Sequence, residues 1–155
     1  MADTFISHGK DKGFWIAEAY MQLCFHYIYE EIRQTQHILQ NKKLFLQDMK
    51  FKLDGYTNGY MTLGWPTFIE SDTETRTMIK VLQNVNITLQ QKGTNISVAE
   101  LNAIETDDSD FKGLFSRKAF PTAELVKVID ALIQILQGTW DSDNYDMKID
   151  YGFYD

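Results

Sequence analysis

Between residues 14 and 36 the chain is apolar on nearly every side: Phe14, Trp15, Ile16, Tyr20, Met21, Leu23, Cys24, Phe25, Tyr27, Ile28 and Ile32 leave little room for a polar stripe. A helix of this kind is normally the central one, wrapped by others, so this segment sets the expected fold class. It does not read as a membrane span, because Glu18, His26, Glu30 and Glu31 interrupt it.

Four further helices follow from apolar spacing. Residues 42–53 place Leu46, Met49 and Leu53 on one face. Ser71 and Glu74 form a capping box, after which Met78, Leu82, Val85 and Leu89 recur at helical spacing until Gly93. A second box, Ser97 with Glu100, opens a short helix over 98–105. Pro121 suits a first helical turn, and Leu125, Ile129, Leu132 and Leu136 stay in register to Gly138. The spacing therefore predicts an all-α, single-domain bundle of about five helices over 1–155, with an N-terminal arm at 1–12 and an extended acidic, aromatic tail at 141–155. Leu82, Val85, Ile129 and Leu132 are expected in its core.

Two segments fall outside the helical pattern. Residues 55–66 hold three glycines and three large rings, Tyr56, Tyr60 and Trp65, and read as an ordered loop. In the tail, Met147, Ile149, Tyr151 and Phe153 alternate with Asp146, Lys148, Asp150 and Gly152, which is strand periodicity. With no ladder partner in a helical protein, such a segment packs as a strap or waits for another chain's sheet edge.

Charge is focused. Residues 100–110 carry −5, residues 139–155 carry −4, and the whole chain carries −7, so the remainder is slightly basic. Focused acidity suits a basic partner; its plainer reading is solvated surface that keeps the protein soluble. Aromatics at 14% are more than one small core can hide, and exposed aromatics build protein interfaces. One cysteine, Cys24, and an N-terminus without a basic region or apolar run point to the cytosol.

Little in the sequence carries catalytic chemistry. Calcium loops starting at Asp108 or Asp141 lack the closing carboxylate, having Ala119 and Gly152 at position 12. Gly9-Lys10-Asp11-Lys12-Gly13 runs into Phe14 and is no phosphate loop. His26 and Glu30 share a helix face without a third metal ligand and read as a partly buried histidine beside its carboxylate. Lys42, Lys43, Lys50 and Lys52, with Phe45 and Phe51 between, are a weak phosphate footprint. Neither cofactor nor metal is expected, and neither direct nucleic-acid nor membrane binding.

The opening Phe14-Trp15-Ile16-Ala17-Glu18-Ala19-Tyr20-Met21, the loop from Gly59-Tyr60-Met61 to Trp65-Pro66 and the acidic tail together resemble helical immunity proteins of bacterial contact-dependent growth inhibition systems. The resemblance implies a cytoplasmic, non-enzymatic inhibitor that occludes the active site of a basic toxin, such as an EndoU-type ribonuclease. No residue carries over by motif. Charge and ring placement instead nominate Asp107, Asp108, Asp110, Asp141, Asp143 and Asp146 as partner-binding residues, with Tyr56, Tyr60 and Trp65 as aromatic anchors. The alternatives are a non-catalytic helical scaffold or adaptor and, third, a metal-dependent enzyme using His26 and Glu30.

Overall fold

The computed structural model describes residues 2–9 and 11–151. Along the chain run β1 (Asp3–Ser7), β2 (Gly13–Ala17), α1 (Glu18–Ile32), α2 (Lys42–Leu53), a 3-10 turn (Trp65–Thr67), α3 (Asp72–Gln91), β3 (Asn95–Ile96), α4 (Val98–Asn102), α5 (Ser109–Phe115), β4 (Phe120–Pro121), α6 (Thr122–Gln137) and β5 (Tyr145–Asp146). The fold is thus mixed α/β, not all-α: among the described residues there are six α-helices and two small sheets.

Asp3–Ser7, inside the expected N-terminal arm, form β1, which pairs antiparallel with β2 in the register Asp3↔Ala17 to Ser7↔Gly13. Thr4, Ile6, Phe14 and Ile16 turn inward, while Phe5 and Trp15 turn outward with ring centroids 5.3 Å apart. What reads as one helix over 14–36 is therefore a strand that passes straight into α1 with no loop between. The strand's alternation and the helix's stripe merge into one apolar run. Only the helical part, Glu18–Ile32, is central; α2, α3 and α6 pack on it.

The tail has a ladder partner after all. β5 pairs parallel with β2, with Phe14↔Tyr145 and Trp15↔Asp146. Beyond it the chain runs back along α6 as a strap: Lys127 Nζ donates to the Lys148 carbonyl (2.7 Å), and the Asp150 N–H donates to Glu124 Oε1 (2.6 Å). Met147 and Tyr151 are buried and Asp146, Lys148 and Asp150 exposed, as the alternation predicts. Gly152, Phe153 and Asp155 lie outside the described residues.

The long helices follow their sequence signals. Ser71 Oγ accepts the Glu74 N–H at 3.2 Å to cap α3, and Gly138, at φ 76°, ends α6. Pro121 sits one residue before α6, in the β3–β4 ladder, so the first helical residue is Thr122. Leu82, Val85, Ile129 and Leu132 are all at most 1% exposed. The acidic stretch at 105–110 hides a short helix that the sequence reading left out: Asp108 caps α5, and Phe111, Leu114 and Phe115 bury its inner face.

Candidate functional site: a carboxylate-locked aromatic loop

Residues 54–64 leave α2 and cross the start of α1. Gly55 has a φ of +88°, and a Cβ there would lie 2.6 Å from Asp108 Oδ2, so that close approach requires glycine. Two carboxylates fix the loop from beneath. Glu18 accepts the Gly59 N–H at 2.9 Å through Oε1 and the Met61 N–H at 3.2 Å through Oε2. Asp108 Oδ2 accepts from Gln22 Nε2 and Asn58 Nδ2, each at 2.9 Å. Its Oδ1 accepts the Asp110 and Phe111 N–H groups at 3.0 and 3.2 Å. Burial pushes the Asp108 carboxyl up, but the hydrogen bonds from Gln22, Asn58, Phe111 and Asp110 outweigh it and leave it below the ordinary aspartate value. Thr4 Oγ1 donates to the Met61 carbonyl, and Lys52 Nζ, paired with Asp48 at 2.8 Å, donates to the Leu63 carbonyl at 2.8 Å.

The locked loop presents rings to solvent. Tyr56 is 53% and Tyr60 71% exposed. The Tyr60 hydroxyl donates to the Tyr56 carbonyl (2.9 Å), and the Tyr56 hydroxyl donates to Asp107 Oδ2 (3.2 Å). Phe51 stacks on Tyr56 at 4.8 Å with planes 22° apart, and the Asp107 N–H donates to Asp54 Oδ1 at 3.1 Å. The bond to the Asp107 carboxylate holds the Tyr56 phenol above its ordinary value. The result is an exposed, pre-positioned surface of stacked rings edged with carboxylates.

Of the residues nominated from sequence, Tyr56, Tyr60 and Asp107 come together here. Asp108 does not face outward: it is buried, and its charge is spent on the loop and the α5 cap. Asp110 is exposed on the rim of a cleft of about 620 Å³ beneath the loop, shared with Glu18, Gln22 and Arg117. Trp65 is fully buried against Phe45 at 6.0 Å, edge to face, so it anchors the core and not a partner. Asp141, Asp143 and Asp146 are exposed on a different element, the β5 side of the small sheet. Asp141 lies 3.7 Å from Lys12, and Asp146 pairs with Lys148 at 2.8 Å.

His26 and Glu30 line one cleft of about 420 Å³ together with Arg33 and Glu105. Glu30 turns to Arg33 at 3.3 Å, and burial pushes His26 below its ordinary value. The carboxylate-bound histidine is instead His37, buried on Glu31, which also accepts from Asn84 Nδ2 at 3.2 Å. That pair is six residues apart across a turn and has no sequence signature. Trp15 and Phe51 were also missed as exposed rings. A glycine-bounded turn between two short runs, Gly9 to Gly13, was the available hairpin signal for Trp15. Among the described residues no group of three or more His, Cys, Asp or Glu is placed to hold a metal, and no helix is long and apolar enough to cross a membrane. No family model, curated protein or solved structure matches the chain.

Proposed function

We propose that this chain is a cytoplasmic immunity protein that binds a basic bacterial toxin domain one to one and neutralises it by covering its active site. A nuclease is the toxin class that fits best, because a cleft built for phosphates is basic and an acidic surface can occupy it. The supporting observation is the locked loop: Tyr56, Tyr60 and Asp107 are exposed, yet the loop is held by Glu18, which accepts the Gly59 and Met61 N–H groups, and by Asp108, which accepts the Asn58 side-chain amide. Ordering cost falls when anchors are already in place, and exposed charge beside them speeds encounter.

The test is binding to the purified product of the gene directly upstream, followed by surface plasmon resonance. Tyr60→Ala should raise the dissociation rate by at least about tenfold, and Asp107→Asn should slow association, less so at high salt. If the upstream product does not bind, or Tyr60→Ala binds with unchanged kinetics, the reading fails.

A further inference from the structure

Helices α1 and α2 leave an open groove of about 640 Å³ lined by Tyr29, Lys42, Lys43, Leu46, Lys50 and Phe51. Its floor is apolar: Leu46 and Tyr29 pack partly on the core, and Phe51 is 51% exposed. Its rim is basic. Lys43 and Lys50 stand one heptad apart on α2 with Leu46 between them, the spacing of a helix-packing seam.

The rim's charge is poorly neutralised from within. Lys50 pairs with Asp54 at 3.1 Å, but Lys42 Nζ donates only to the carbonyls of Gln34 and His37, each at 2.8 Å. Among the described residues neither Lys42 nor Lys43 has a carboxylate within ion-pair distance. The two lysines also run against their own helix. Each of the other five α-helices has an acid in its first turn, Glu18, Glu74, Glu100, Asp110 and Glu124 among them, whereas α2 has none and no side-chain cap. Positive charge at a helix N-terminus opposes the macrodipole. On a chain of net charge −7, a basic apolar groove kept at the expense of local helix stability marks a surface whose charge faces a ligand.

We propose that this groove holds an amphipathic helix of a partner protein, its apolar face on Tyr29, Leu46 and Phe51 and its acidic flank against Lys42, Lys43 and Lys50. The groove is too open to enclose a small molecule, and the 12 residues of α2 give it a length of about 18 Å at 1.5 Å per residue, the span of a short helix laid alongside. Opposite charge then selects an acidic helix over a basic one. This surface adjoins the Tyr56–Tyr60 loop through Phe51 but is of opposite sign, and the inference stands independently of the proposed toxin.

The probe is a fluorescein-labelled synthetic amphipathic peptide with heptad-spaced leucines flanked by glutamates, paired with the same peptide carrying lysines instead. Fluorescence anisotropy should show binding of the glutamate peptide and at least about tenfold weaker binding of the lysine peptide. Lys43→Glu should weaken the glutamate peptide by about tenfold or more while leaving the melting temperature unchanged or slightly raised, since an acid suits that helix turn. Leu44→Glu, at a residue 58% exposed that does not line the groove, should bind as the wild type does, and so should Tyr60→Ala, which separates this surface from the toxin-facing loop. No binding of the glutamate peptide, equal binding of both peptides, or a Leu44→Glu defect as large as that of Lys43→Glu would overturn the proposal.

Discussion

Around Asp108 the fold consumes negative charge, whereas around Asp143 it displays it. Asp108 and Glu18 lie under the Tyr56–Tyr60 loop and accept bonds from Asn58, Gly59 and Met61 that help to fix it, leaving Asp107 and Asp110 to face solvent. Asp141, Asp143 and Asp146 stand outside the small sheet beside Trp15 and Tyr145, which are 44% and 46% exposed, and two of them already face lysines. Both regions are acidic and aromatic, but only the first has rings on a backbone locked by buried carboxylates. The difference teaches that charge density in a sequence divides, on folding, into charge that builds and charge that meets solvent. A surface becomes a good anchor when its neighbouring acids do the former.

The comparison breaks most visibly at its two tryptophans. Trp65→Ala, which empties the core beneath the loop, should cost roughly 3–5 kcal/mol in urea unfolding. Trp15→Ala, on the outer sheet face, should cost about 1 kcal/mol or less. Similar losses would mean that the sheet face is as structural as the loop. Next come the aspartates. Asp108→Ala strands Gln22, Asn58 and the α5 cap and should cost roughly 2–4 kcal/mol, against about 0.5 kcal/mol or less for Asp143→Ala.

Acid titration sharpens the same contrast. The Asp108 carboxyl is depressed in the folded protein, so its contribution is fully present above the ordinary value of 3.8 and is lost as pH falls through the lower folded value. In Asp108→Asn the fall in stability between those two values should be shallower than in the wild type. Parallel acid limbs for Asp108→Asn and wild type would show that other carboxylates carry the loop. The smallest effect is expected from Lys148→Ala, which frees Asp146 on the exposed sheet edge: the melting temperature should stay the same, because exposed pairs contribute little.

The parts legible in the sequence were those whose signal is local and long. α3 and α6 announce themselves through the Ser71 cap, Gly138 and four apolar residues each in register, and their core residues are buried as the spacing predicts. The small sheets are hard to read because β3, β4 and β5 have two residues apiece, and the tail's alternation falls on the strap that follows β5. β2 was hidden because Ala17 is followed directly by the first residue of α1. α5 had a readable cue, Asp108 before Phe111, Leu114 and Phe115, masked by the run of acids around it. At the site, the exposed tyrosines follow from the glycine-rich first half of the loop, whereas Met61, Leu63 and Trp65 further on are buried. The inward role of Asp108 does not follow, since it depends on Gln22 and Asn58, which are 86 and 50 residues away in sequence.

The pairing of β2 with β5 has a consequence for the order in which the molecule is assembled. Gly13 bonds through its N–H to the Ser142 carbonyl and through its carbonyl to Trp140 Nε1, and Met147 donates to the Trp15 carbonyl. Until those residues have left the ribosome, β2 has a neighbour on one side only and Phe14 lacks its partner ring, Trp140, at 5.8 Å. Contacts of such long sequence separation close last and slowly, so nascent chains pass through a stage in which the helices are formed but this strand edge is open and prone to mispairing. Emergence of residues 140–147, not helix formation, is then the step that finishes the sheet.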